Sequence, residues 1–135
     1  MSTGERPSIS TFEGNTGPYL QYAHARIRSI FRRAEAEPPP AGSALRLDEA
    51  PERALALHLL RFGEAVETTA MNLSPSKLCT YLFDLATVFT TFYEACRVLV
   101  DDVDVRTSRL ALCDLTARVL EQGLSLLGME APAQM

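Results

Sequence analysis

The sequence predicts an all-α protein, a helical bundle of about five helices, and three observations lead to this fold class. Apolar residues recur at three- and four-residue spacing over three heptads between residues 78 and 99. Prolines stand where helices would begin, and a glycine stands where the last helix would end. No stretch of alternating β-branched residues indicates a strand.

The first helix is predicted over residues 18–35, with Pro18 at a first helical position where its missing N–H costs nothing. One stripe of the helix is apolar and should face a core. It comprises Leu20, Ala23, Ile27, Phe31 and Ala34. A second stripe is aromatic and cationic, and lies about 100° further around the helix. It comprises Tyr19, Tyr22, Arg26 and Arg33.

Three helices are expected in the middle of the chain. Asp48 should cap the second one, which an interruption at residues 61–63 separates from a short third helix over residues 64–72. Ser74 and Pro75 should start a long central helix that runs to Val100. The apolar seam of this helix comprises Leu78, Leu82, Leu85, Phe89, Phe92, Cys96 and Leu99.

The last helix is predicted over residues 105–127, and Gly128 should terminate it. Apolar residues cover a wide arc of this helix, so it should be well buried. Gly123 costs about 1 kcal/mol relative to alanine in a helix interior. Its presence therefore predicts a close approach of another helix.

Composition favours one globular domain and argues against broad nucleic-acid binding. The chain has 135 residues and a net charge of −4, whereas general nucleic-acid binders are usually basic. A local site is still possible, because the first helix carries four arginines and no acid between Tyr19 and Ala34. Acidic residues gather elsewhere, between residues 101 and 104.

The cysteines and the chain start indicate an intracellular protein. Cys79, Cys96 and Cys113 form no C-x-x-C pair and are expected to be reduced and buried, so no metal site is predicted. No signal peptide or membrane span is evident, and a cytoplasmic location is expected.

The aromatic and cationic stripe has two interpretations. Phenol rings and guanidinium groups on one face can stack on unpaired bases and contact phosphates. Alternatively, tyrosines at the edge of an apolar face simply cover the core and keep their hydroxyls in water. Periodicity alone favours the second interpretation.

Two long motifs carry a resemblance to a known family. The stretch FEGNTGPYLQYAHAR, from Phe12 to Arg26, resembles the entry into the C-terminal domain of arginyl-tRNA synthetases, the DALR anticodon-binding domain. The segment from Arg109 to Met135 resembles the C-terminus of that family, including a final methionine. Composition rich in Ser, Thr, Gly and Pro predicts a flexible leader over residues 1–12, and the resemblance implies the helical domain over residues 13–135.

The resemblance also implies a function and a set of contacts. The family reads the anticodon of tRNA(Arg), whose central base is always C because every arginine codon has G in the middle. Carried over by motif, the positions that meet the anticodon are Tyr19, Tyr22, Arg26, Tyr93, Met135 and Asn15. The main-chain end of Met135 matters there as much as its thioether.

Catalysis by this chain alone is not expected. The H-x-G-H and K-M-S-K-S motifs of class I synthetases are absent from the sequence. No catalytic residue and no cofactor is therefore predicted for this chain. ATP and Mg²⁺ would belong to a catalytic domain that the sequence does not contain. The expected partners are tRNA(Arg) and a synthetase catalytic domain, in cis or in trans, but neither DNA nor a membrane. The chain is either a piece of a synthetase or a free-standing homologue. The alternative function is a helical protein–protein interaction module that has lost tRNA binding.

Overall fold

The computed structural model describes residues 16–135 and contains five α-helices in that part of the chain. They are α1 (Gly17–Ala34), α2 (Ala50–Leu60), α3 (Phe62–Asn72), α4 (Pro75–Ala95) and α5 (Val103–Leu126). The described residues include no β-strand, so the predicted all-α fold is confirmed. The predicted leader and Asn15 lie outside the described residues.

Prolines begin three of the helices, as the sequence predicts. Pro18, Pro51 and Pro75 each lie in the first turn, where no intrahelical bond is lost. The predicted cap of α2 was wrong, because Glu49 and not Asp48 is the N-cap. The carboxylate of Glu52 accepts from the Glu49 N–H at 2.8 Å, which completes a capping box one residue after the predicted cap.

Several helix boundaries between α2 and α5 differ from the expected ones. α3 begins at Phe62, because only Arg61 separates it from α2. α4 ends at Ala95, five residues earlier than expected. The backbone is extended at Cys96 and bends at residues 98 and 99, where Val98 is buried and Leu99 is 48% exposed instead of continuing the seam.

Arginine side chains from α5 stabilise the segment between α4 and α5. Arg109 Nη1 donates to the Arg97 carbonyl at 2.6 Å, and Arg106 Nη1 donates to the Val100 carbonyl at 2.9 Å. Because these carbonyls lie outside a helix, they have no intrahelical partner, and the arginines supply one. The Asp102 carboxylate accepts two backbone N–H groups at 3.0 and 3.2 Å, so α5 begins at Val103, two residues earlier than expected.

The core lies between α1, α4 and α5, with α2 and α3 packed on α4. The predicted seam of α4 is buried from Leu78 through Cys96. The predicted close approach at Gly123 is confirmed. A Cβ added there would lie 2.6 Å from both δ-carbons of Leu82, so only glycine permits this packing.

Polar contacts on the outer side of α1 fix it against α5 and the C-terminal tail. Arg28 Nη1 pairs with the nearly buried Asp114 at 2.7 Å, which links the middle of α1 to the middle of α5. Three side chains of α1 then contact tail carbonyls. The contacts are Gln21 Nε2 to Glu130 O at 2.9 Å, His24 Nδ1 to Pro132 O at 3.0 Å, and Arg32 Nη1 to Ala133 O at 2.9 Å.

Candidate nucleic-acid interface

The second stripe of α1 faces solvent beside the buried stripe, as predicted. Tyr19 is 41% exposed and Tyr22 is 53% exposed, and Arg26 and Arg33 are also exposed. The apolar stripe next to it is anchored in the core. Its side chains Leu20, Ile27 and Phe31 are buried, whereas Ala23 and Ala34 are partly buried. The tyrosines are therefore not sealed inside the bundle.

A pocket of about 200 Å³ lies between α1 and α4, and four of the predicted residues line it together. Tyr19, Tyr22 and Arg26 come from α1, and Tyr93 comes from α4. The remaining lining residues are Ala23, Ile27, Ile30, Arg33, Ala86, Phe89 and Thr90. Helices α1 and α4 run side by side, so residues far apart in sequence meet on one wall.

Two phenylalanines support the tyrosine rings: Phe83, which the sequence pattern did not single out, and Phe89, which it assigned only to the apolar seam. Phe83 packs against Tyr19 at a centroid distance of 5.2 Å, and Phe89 stacks on Tyr93 at 5.8 Å with 15° between the planes. Such ring pairs restrict the supported tyrosines to defined orientations. The spacing of Phe89 and Tyr93, four residues apart on one helix, is a signal that could have revealed the second pair.

A second, larger cavity of about 530 Å³ continues the first one toward the end of α4. Ile30, Arg33 and Tyr93 line both cavities, and Glu94 and Arg97 line only the second. We call the two together the α1–α4 groove, with a base pocket at Tyr22 and a second chamber at Arg97.

The guanidinium groups in this groove have no protein partner among the residues that the structure describes. Within residues 16–135, Arg26 and Arg33 make no ion pair and no side-chain hydrogen bond, whereas their neighbour Arg28 is paired with Asp114. Their positive charge is therefore available to an anionic ligand. This local charge contrasts with the net charge of −4 of the chain.

The described contacts do not bring Met135 to the base pocket. The tail lies on the flank of α1 that carries Gln21, His24 and Arg32, and these residues are about 80° or more away from Tyr22 around the helix. The Met135 side chain is 67% exposed and does not line the base pocket. Asn15 lies outside the described residues. The roles of Met135 and Asn15 stay predictions.

The cysteines are buried, as expected, and poorly suited to nucleophilic chemistry. Burial raises the pKa of Cys79 and of Cys96, and it raises the pKa of Cys113 to about 12. Among residues 16–135, no cluster of three His, Cys, Asp or Glu side chains is placed to hold a metal ion. The same part of the chain has no helix long and apolar enough to cross a membrane.

By fold and surface, residues 16–135 form a helical domain with an exposed platform of rings and guanidinium groups, the type of surface on which unpaired bases stack. The family model for the DALR anticodon binding domain matches residues 20–135. The chain belongs to this family, so the resemblance noted in its two terminal motifs is confirmed.

Relatives in this family are arginyl-tRNA synthetases. The chain is 58% identical to the arginine–tRNA ligase of Thermobifida fusca over 123 residues, and 50% identical to that of Cellvibrio japonicus over 130 residues. These matches cover 90% and 95% of the chain but only 21% and 22% of the relatives. The Thermus thermophilus arginyl-tRNA synthetase structure matches with a TM-score of 0.76 and 44% identity, over 92% of this chain and 22% of that one. The chain thus spans about a fifth of the length of these relatives.

Proposed function

We propose that this chain is the tRNA(Arg) anticodon-recognition module of an arginyl-tRNA synthetase, or a free-standing homologue of it. One observation carries the proposal: in a chain of this family, Tyr19, Tyr22, Arg26 and Tyr93 line a single open pocket. The arginine–tRNA ligase relatives supply the amino acid and the kind of RNA.

The pocket suits one base of a single strand. Its volume of about 200 Å³ lies below the roughly 300–1,000 Å³ of sites for drug-sized ligands. Stacking on tyrosine contributes about 1–3 kcal/mol per base. An unpaired cytosine also offers an amino donor and carbonyl and ring-nitrogen acceptors, and the guanidinium of Arg26 can donate to the acceptors. The central C of the anticodon is therefore the base that we assign to this pocket.

The module contributes recognition, and aminoacylation needs a catalytic domain. ATP and Mg²⁺ act in that domain, whether it is joined to this chain or binds it in trans. Asn15 and Met135 are further contacts of the anticodon under this proposal, and the location that goes with it is the cytoplasm.

A titration with hairpin RNAs that carry the tRNA(Arg) anticodon loop tests the function. The protein should bind a hairpin with the central C more tightly than one with U at that position. Tyr22→Ala should weaken binding by about tenfold, the equivalent of one lost stacking contact. Tyr22→Phe is the matched control and should bind almost like the unchanged protein, because it keeps the ring.

Equal affinities for the C and U hairpins would remove the anticodon claim. Absence of binding to either hairpin, with an intact circular-dichroism spectrum, would favour the protein–protein interaction alternative instead.

A further inference from the structure

The second chamber of the α1–α4 groove is not needed to hold a base in the base pocket. It has a volume of about 530 Å³ and opens next to Tyr93. Its charged wall residues are Arg33, Glu94 and Arg97, and all three are exposed. A strand whose base occupies the first pocket can continue into this chamber, because Ile30, Arg33 and Tyr93 line both cavities.

The distribution of unpaired arginines points to this chamber. Within residues 16–135, seven arginines either form ion pairs with carboxylates or donate side-chain hydrogen bonds to carbonyls, namely Arg28, Arg32, Arg46, Arg53, Arg106, Arg109 and Arg118. The arginines in the same residues without either kind of partner are Arg26, Arg33, Arg61 and Arg97. All of these except Arg61 line the groove. A groove lined by unpaired guanidinium groups attracts anions, because like charges close together raise the local potential.

The backbone at Arg97 is held in place by a chain of hydrogen bonds. Its carbonyl accepts from Arg109 Nη1 at 2.6 Å. The Nε of Arg109 donates to Glu52 at 2.8 Å, and the Glu52 side chain is only 2% exposed. The segment that carries Arg97 is therefore fixed to both α2 and α5. At Arg97, only the side chain and not the backbone has to be ordered when a ligand binds.

We propose that the second chamber binds the RNA backbone next to the stacked base, with Arg33 and Arg97 donating to phosphodiester oxygens and without reading the neighbouring base. This inference rests on the proposed function of the base pocket. Arg26 and Arg33 are seven residues apart on one face of α1, about 10 Å along the helix axis. The strand accordingly runs parallel to α1, from Tyr22 toward Arg97.

Glu94 sets a limit on affinity in the same chamber. Its exposed carboxylate lines the cavity three residues before Arg97 and repels a phosphodiester. Glu94→Gln removes this repulsion without changing the size of the side chain. We expect the Glu94→Gln variant to bind the hairpin RNA severalfold more tightly, whereas removing an arginine of the chamber should weaken binding.

The first test measures affinity against salt concentration for Arg33→Ala and Arg97→Ala with the central-C and central-U hairpins. Each variant should lose about tenfold in affinity, the value of one charge-assisted hydrogen bond. The slope of log K against log salt should fall by about 0.7 for each phosphate contact that is lost. The loss should be the same factor for both hairpins. Arg61→Ala is the matched control, since it removes an unpaired arginine outside the groove, and should change neither quantity.

The second test removes the charge from the RNA. A hairpin with one neutral methylphosphonate beside the central base, at the 5′ or the 3′ linkage, should bind the unchanged protein about tenfold more weakly at one of the two positions. The double variant Arg33→Ala, Arg97→Ala should show no further loss at that position, because it lacks both proposed donors.

Two results would overturn the phosphodiester site. One is an unchanged affinity and salt slope in both arginine variants. The other is a changed preference between the C and U hairpins, which would mean that the arginines read a base. Failure of the proposed function gives a different result, because the unchanged protein would then bind both hairpins equally and Tyr22→Ala would have no effect.

Discussion

Replacing Gly123 with alanine places a methyl group against the side chain of Leu82 in the centre of the bundle. The new Cβ would lie 2.6 Å from both δ-carbons of Leu82 and 3.0 Å from its γ-carbon. Ordinary carbon contacts are about 3.5–4.0 Å, so either the Leu82 side chain or the two helices must shift by roughly 1 Å. Leu82 is fully buried and cannot turn away into solvent.

The net effect is the difference between two opposing terms. Overpacking of a dense core costs about 1–3 kcal/mol, and the upper end applies here because three carbons are contacted. Alanine regains about 1 kcal/mol of helix propensity. We therefore expect Gly123→Ala to lower the free energy of unfolding by about 2 kcal/mol, measured by urea denaturation followed by circular dichroism.

Gly63→Ala is the control, because Gly63 is also helical, in the first turn of α3, but a Cβ there would meet nothing within 4 Å. It should raise the free energy of unfolding by less than about 1 kcal/mol, since the full propensity difference applies to a helix interior. If Gly123→Ala stabilised the protein as much as Gly63→Ala does, the packing argument would be refuted. In addition, the cost of Gly123→Ala should shrink in a Leu82→Ala background, where the space has been vacated.

Three further predictions concern ion pairing, backbone strain and titration. Asp114→Ala should cost about 2–3 kcal/mol in urea denaturation because it leaves the half-buried Arg28 without its partner. Arg118→Ala removes only the exposed second partner of Asp114, which keeps its pair with Arg28, and should cost under about 0.5 kcal/mol. Leu73→Gly should raise stability by about 1 kcal/mol, since Leu73 is exposed and adopts a left-handed φ of 50°; a loss would show that its side chain matters more than its backbone. Burial raises the pKa of Cys113 from 9.0 to about 12, so on raising the pH the unfolded chain loses this proton before the folded chain does. The free energy of unfolding should therefore fall as pH rises from about 9 to 12. In Cys113→Ala, the melting temperature measured over this range should depend less steeply on pH than in the unchanged protein.

Local sequence signals predicted where most helices start, but not where all of them end. Proline in the first turn is a local effect, and so it located α1 and α4 to within one residue. The early end of α4 depends on Arg109, which is 12 residues away from the carbonyl that it binds. The spacing of Cys96 and Leu99 continued the helical pattern, but tertiary contacts were stronger than periodicity at that point.

The candidate site was predictable only on the side that one helix provides. Tyr19, Tyr22 and Arg26 share a face of α1 by spacing alone, and the structure confirms their exposure. The opposite wall comes from α4, and only the family resemblance indicated Tyr93. The support from Phe83 and the position of Arg97 required the packing of separate helices, which no single-helix pattern contains.

The tail contacts on α1 have a practical consequence for anyone who labels or immobilises this protein. The last of them is made by the carbonyl of Ala133, only two residues before Met135. A fluorophore, affinity handle or sensor-chip linker joined to Met135 would begin within three residues of the carbonyls that contact His24 and Arg32. Titrations of RNA are therefore better read from a label on the nucleic acid, with the protein free in solution.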